Sequence, residues 1–472
     1  MEDIEATPPR IADPAWKLWF GLLLLIVIAG VAYQVVGVYA EGDESAGSAF
    51  RFLVAGDMDV RFALAGFNAN ATAQQAITAY TQALPWPRAY RRIGITKIAL
   101  LHQPQAPELE LLASKDAIRR IPKSMIPKLK TEAAMWAEAF GPPKISKARA
   151  CEIVREVRRL NLGPLREVAV AEVLRRSGQT AQAGAAMAGA KHDAHVKVSA
   201  LLLLGLALVG GGVAGVVIAV MFFSRLGAGV GRPVAVGVLP SILLRAFLVF
   251  LVGSVAIGGV LGGFVGWMVG GYEDASLAAV VLLEIAAMFA GVALAITYLG
   301  ACVPDGRGIL RDIGLRAISL TQSLKWAVGG YCATLPFLLL ALIATQILLR
   351  TVLKGMPTPD HPLIPTVESG GALTWIAAIL LAVIVAPLVE EIAFRGLLYT
   401  ALRARMGMWA SVMISGTIFA AIHPTIPEQF LLLSVLGCAF AVIRERSGSL
   451  VPSMICHGIN NGVMFLWLWL IK

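Results

Sequence analysis

Charge is scarce in this sequence. Asp, Glu, Lys and Arg make up only 15% of its 472 residues, where a soluble domain carries about a quarter. Together with 57% hydrophobic residues and a mean hydropathy of +0.74, that shortage excludes an ordinary soluble enzyme. The five cysteines (Cys151, Cys302, Cys332, Cys438 and Cys456) form no CxxC pair. Four lie in or beside apolar segments, so no disulfide framework is implied. The N-terminus opens with acidic residues and lacks both a basic n-region and a small-residue cleavage site. The apolar run Leu18 to Ala40 is too long for the core of a signal peptide and is expected to stay as an anchor helix.

What the sequence does have is long apolar runs, each near the roughly 20 residues a helix needs to cross hydrocarbon. Beyond the anchor they cover Ser199–Phe223, Ala246–Gly270, Ser276–Gly300, Ala327–Leu349, Ala372–Pro387 with its continuation to Arg405, Met408–Ile422, Gln429–Val442 and Leu450–Ile471. The fold class expected is all-α: a polytopic transmembrane bundle of about eight to nine spans, with a helical soluble insertion after the first span. Four regions follow. Residues 1–40 are tail and anchor, 41–196 a soluble helix-rich domain, 197–371 transmembrane helices and 372–472 a transmembrane core that carries the chemistry.

Within the soluble region the apolar periodicity predicts helices near Thr72 to Leu84, Ser124 to Phe140 and, twice, between Ala148 and Arg176. The Ala/Gly/Gln-rich stretch Gly178 to Ala190 reads as a linker, and His192, Asp193 and His195 as a solvated polar turn. Gly258, Gly262, Gly266 and Gly270 form a four-residue repeat suited to close helix packing rather than to phosphate binding.

The net charge of +10 points to basic loops, not to nucleic acid. Arg225 with Arg232, then Arg307, Arg311, Arg316 and Lys325, then Arg403 with Arg405, then Arg444 with Arg446 fall on one side. The loops Gly271–Ala275 and Pro424–Glu428 fall on the other with no Lys or Arg. The positive-inside rule places the basic loops in the cytoplasm, and parity puts the N-terminus inside and the soluble region outside.

Three polar clusters interrupt the last apolar segments: Glu390-Glu391-Ile392-Ala393-Phe394-Arg395, Phe419-Ala420-Ala421-Ile422-His423 and His457-Gly458-Ile459-Asn460-Asn461. An ionisable group in hydrocarbon costs several kcal/mol, so each cluster is a candidate site. Glu391 and Arg395 stand at i and i+4 with the acid first, the favourable order for an ion pair; Glu390 points elsewhere and is left free. His457 and Asn461 share a helix face. Glu390 lies 17 residues before Gly407 and His423 lies 16 after it, so an antiparallel hairpin would bring them to one depth with a water between them. A carboxylate, two imidazoles and an amide suit hydrolysis of a peptide bond without a covalent intermediate. The same Glu390, His423 and His457 could instead hold a catalytic divalent metal such as zinc, with one position open.

EExxxR, FxxxH and HxxxN, in that order in successive apolar helices, resemble the CAAX prenyl endopeptidase and bacteriocin-processing (CPBP) family of intramembrane proteases. Here they read EEIAFR, FAAIH and HGINN. The resemblance covers about Ala372 to Ile471. It implies that Glu390 activates water with His423 beside it, that His457 and Asn461 form the oxyanion site, and that Glu391, Arg395 and Phe419 support them. No obligate metal is expected. The partners implied are the lipid bilayer and a peptide or lipidated protein substrate, and a bacterial inner membrane is the setting that the Ala/Gly-rich composition suggests.

Each residue also has a plainer reading. Glu390 and Glu391 could be ion-paired structural groups, and His423 could merely cap a helix. Glu284, mid-span, could pair with Arg245. The rivals from other classes are a proton-coupled transporter, whose acids and histidines form a relay, and a non-catalytic membrane adaptor.

Overall fold

The computed structural model describes residues 13–41, 46–118, 126–142, 144–224, 238–268, 277–303, 309–316, 318–353, 372–423 and 425–471. The acidic N-terminus to residue 12, Arg225, Arg232, Gly270, the loop Gly271–Ala275, Arg307 and Pro424 lie outside the described residues. Every regular element among the described residues is helical, as an apolar bundle requires, because a helix satisfies all its backbone polar groups internally.

In chain order the helices are α1 (Trp16–Glu41), α2 (Ala46–Leu64), α3 (Ala69–Gln82), α4 (Pro87–Ala99), α5 (Lys115–Ile118), α6 (Ile126–Phe140), α7 (Lys147–Val157), α8 (Arg166–Arg176), α9 (Thr180–Ser224), α10 (Pro240–Met268), α11 (Leu277–Cys302), α12 (Ile309–Asp312) and α13 (Leu320–Thr351). Then come α14 (Ala372–Arg403), α15 (Met408–Ala421), α16 (Phe430–Ser447) and α17 (Val451–Ile471). Six of them (α1, α9, α10, α11, α13 and α14) are long and apolar enough to cross a membrane. The sequence counts nine such segments. The difference lies in the last three: α15 has only 14 residues, α16 ends in Arg444-Glu445-Arg446, and α17 carries His457, Asn460 and Asn461.

The chain forms two compact units. One joins the chain up to Asp43 with Ala207–Phe465; the other joins Glu44–Leu206 with Leu466–Lys472. The second has its own apolar core around Tyr80, Ile95, Trp136, Ile153 and Val170. The expected helices appear there as α3, α6, α7 and α8, and α2 and α4 stand in addition to them. Arg92 and Tyr80 both bond the buried Asp57, at 2.8 and 2.6 Å. The linker expected at Gly178 to Ala190 is instead the first part of α9. Its alanines and glutamines are strong helix formers, and Ala183, Ala190 and Ala194 are buried in the core. His192, Asp193 and His195 are likewise helical rather than in a turn, and Asp193 pairs with Arg61 at 2.8 Å.

In the first unit, small residues set the helix crossings. A Cβ at Gly258 would sit 3.6 Å from Ala287, and one at Gly291 would collide with Ser254, so α10 and α11 meet through these positions. Gly416 and Gly437 do the same for α15 and α16. Three of the basic residues grouped by the loop pattern, Arg316, Arg403 and Arg405, are tied to other segments of the unit. Arg405 lies 3.7 Å from Asp13, which also accepts the Ser241 N–H at 2.8 Å. Arg403 bonds Glu445 at 3.0 Å, and Ser449 donates to the Arg316 carbonyl at 2.7 Å. The start of α1 therefore lies beside the turn that carries Arg403 and Arg405.

Candidate active site

The three motifs converge through a local departure from α geometry. Helix α14 widens to π winding twice, over Leu380–Val385 and Ile392–Leu398, with an α stretch Ala386–Glu391 between. π turns shift the register and release carbonyls from their usual partners, and they recur at functional sites. Both consequences appear here. The Ala382 carbonyl accepts Nδ2 of Asn461 at 2.7 Å. The Val383 carbonyl lies so close to Gly458 that an added Cβ would stand 2.8 Å from it. The glycine in HGINN thus lets α17 lie directly on the first π segment.

Arg395 is the centre of the packing. Its side chain is fully buried, its Nη1 pairs with Oε1 of Glu391 at 3.0 Å, and its Nη2 donates to the Gly437 carbonyl at 2.9 Å. Its guanidinium also lies 4.6 Å from the ring of Phe419, 5.1 Å from Phe440 and 5.7 Å from Phe394. A desolvated cation over an aromatic face gains about 2 kcal/mol. The expected i, i+4 ion pair is present, and Arg395 additionally ties α14, α15 and α16 together.

Glu391 has a second partner that spacing did not reveal. Nδ1 of His457 stands 3.2 Å from the same Oε1, donating to the carboxylate. That orients the imidazole so that Nε2 faces Glu390, 4.0 Å from its Oε2. The ring is held on its faces too, stacked on Phe440 at 4.7 Å and edge-on to Phe419 at 5.9 Å. Glu390 itself makes no hydrogen bond to a described residue and keeps 17% of its side-chain surface exposed.

His423 is held by a different set of contacts. Its Nδ1 donates to the Phe419 carbonyl at 2.6 Å, closing the last turn of α15, and its ring lies 4.6 Å from that of Phe419. Nε2 is left uncommitted. The imidazole facing Glu390 is therefore that of His457, and His423 joins the cluster through Phe419. Asn461 sits one turn beyond His457 as expected, held by Ala382 and accepting Nδ2 of Asn460 at 3.1 Å.

The donor set does not form a metal centre. Among the described residues no three His, Cys, Asp or Glu side chains stand close enough to hold a metal ion. Of the three residues Glu390, His423 and His457, the two that stand within 4.0 Å of each other are Glu390 and His457.

No solved structure matches this chain. A curated Escherichia coli relative, an uncharacterized 24.3 kDa protein, is 29% identical over 109 residues, which are 22% of this chain and 50% of the relative. The chain thus spans about half the length of that relative. Residues 372–463, the stretch that holds all seven residues of the three motifs, match the family model of the Rce1-like type II CAAX prenyl endopeptidases.

Proposed function

We propose that this integral membrane protein is an endopeptidase that cleaves membrane-associated or lipidated peptides with water activated by Glu390. The observation that carries the reading is the free carboxylate of Glu390 facing Nε2 of His457 across 4.0 Å, a gap that one water can bridge, in an apolar surround. Glu390 takes a proton from that water as its oxygen bonds to the peptide carbonyl carbon, and the carbonyl π pair moves onto oxygen. The same carboxyl then returns the proton to the departing nitrogen as the C–N bond breaks.

His457, with Nδ1 anchored on Glu391, supplies Nε2 to the reacting water or, when protonated, a donor to the oxyanion. Asn461 spends one N–H on Ala382 and keeps the other for that oxyanion. His423 uses Nδ1 on the Phe419 carbonyl, so in its neutral form Nε2 is an acceptor for the water. Glu391, Arg395 and Phe419 hold these groups in place. A bacterial inner membrane is the setting proposed from the Ala/Gly-rich composition.

The test is reconstitution in liposomes with a farnesylated peptide library and its unlipidated counterpart, read by mass spectrometry. Cleavage is expected with the wild type and lost in Glu390→Ala and His457→Ala at equal protein levels. Cleavage retained in both variants removes the reading. Equal cleavage of the two libraries would remove the lipid preference alone.

A further inference from the structure

One carboxylate near this site belongs to none of the three motifs. Glu284 is the only charged residue in the 26 residues of α11, midway along an apolar helix where an ion costs several kcal/mol unless it has a task. The partner offered by the sequence, Arg245, is occupied elsewhere: its guanidinium lies over the Trp19 ring at 5.2 Å and its Nε is 3.4 Å from the Ser241 carbonyl. Among the described residues Glu284 has no hydrogen bond and no ion pair.

Its position relates it to the active site. Val281, Ile285, Met288 and Val292 of α11 pack in one apolar cluster with Val385 and Val389 of α14, the residues that lead to Glu390. Glu284 follows Val281 by three residues and precedes Met288 by four, so it borders this packed stripe. The same helix also contacts the segment Ala386–Glu391 directly. Yet Glu284 is itself exposed, beside the exposed Leu282. The carboxylate therefore stands at the membrane-facing rim of the site. Because Glu391 and Arg395 compensate each other, that rim presents two acids, Glu284 and Glu390, with no cation fixed between them. In a low-dielectric surround a carboxyl without a fixed counter-charge gains its ionised form when a positive group pairs with it.

Resting on the peptidase reading, we propose that Glu284 is a specificity residue that receives a Lys or Arg side chain of the substrate entering from the membrane side. The substrate class is thereby narrowed to membrane-borne peptides with a basic residue near the scissile bond.

The test uses the full chain in liposomes and two peptides that differ only in Lys or Gln beside the scissile bond. The wild type should prefer the Lys peptide about fivefold, the worth of one partly exposed charge pair. Glu284→Gln should abolish the preference by raising KM for the Lys peptide alone, and Glu284→Lys should reverse it toward a Glu peptide. An unchanged ratio in Glu284→Gln overturns the proposal, as does an equal fall in kcat for every peptide. Binding of the same labelled peptides to Glu390→Gln protein, read by fluorescence anisotropy, separates the two ideas. Tighter binding of the Lys peptide, lost in the double variant, supports the role of Glu284 even if hydrolysis fails; equal binding of both peptides ends it.

Discussion

Oε1 of Glu391 holds Nδ1 of His457 at 3.2 Å, joining α14 to α17 across 66 residues of sequence. The same oxygen pairs with Arg395 at 3.0 Å. One buried carboxylate thus anchors both the residue that fixes the helix crossings and the imidazole that faces Glu390. Adjacent glutamates have opposite duties: Glu391 is fully buried and committed, whereas Glu390 is partly open and uncommitted.

Substitutions at the two positions should therefore separate stability from activity. Glu391→Ala leaves the Arg395 guanidinium buried without its counter-charge and should destabilise the protein by about 3–5 kcal/mol. Glu390→Ala removes no hydrogen bond and should leave stability within about 0.5 kcal/mol while ending cleavage. Thermal unfolding in detergent checks the first statement and peptide cleavage the second. Equal melting shifts for both variants would contradict the division.

Gly458→Ala tests the close seat of α17 on the π segment. The new methyl would meet the Val383 carbonyl at 2.8 Å, a backbone atom that cannot swing away. Relief requires α17 to move outward, stretching the Asn461–Ala382 bond and the His457–Glu391 bond with it. A cost of about 1–3 kcal/mol is expected, with a fall in kcat larger than the change in KM. Wild-type kinetics in this variant would show that α17 needs no such contact.

How far the sequence reveals this site depends on the range of each relationship. The Glu391–Arg395 pair is local, i and i+4 on one helix, and spacing found it. The shared helix face of His457 and Asn461 was also plain, but the bond of His457 to Glu391 is a tertiary contact. It depends on π winding at Leu380–Val385 and Ile392–Leu398, for which nothing in LLAVIV or IAFRGLL gives a distinct pattern. The long apolar helices were legible because composition alone decides them. Helix α9 across Gly178–Ala190 was not, since its glycines mimic a linker while its alanines fill a core that only the fold defines.

Metal removal provides a further check. Since no three ligand side chains gather among the described residues, prolonged treatment with a strong chelator should leave cleavage by the reconstituted protein unchanged. Loss of activity that returns on adding zinc would require Glu390, His423 and His457 to draw together on binding, and would overturn the metal-free reading.

The unit that contains Glu44–Leu206 should show its own acid sensitivity, centred on Glu172. Burial opposes charge on this carboxyl. Hydrogen bonds from Arg175 at 2.7 and 2.8 Å and from Arg176 at 2.9 Å outweigh it and hold the group below its ordinary value of 4.5. The folded state therefore binds the proton less readily than the unfolded chain. The stabilisation is complete above pH 4.5 and declines as pH falls toward and through the lower folded value. Arg176 also donates to the Phe140 carbonyl, so losing the Glu172 anchor should loosen α8 from the end of α6. Backbone hydrogen exchange in Arg166–Arg176 of the full-length protein, corrected for intrinsic rates, should rise on acidification from pH 6 to pH 4. Glu172→Gln should exchange faster at pH 6, by on the order of 1 kcal/mol of opening free energy, and show a flatter response below it. If wild type and variant respond to acid alike, the ion pairs of Glu172 are not what stabilises α8.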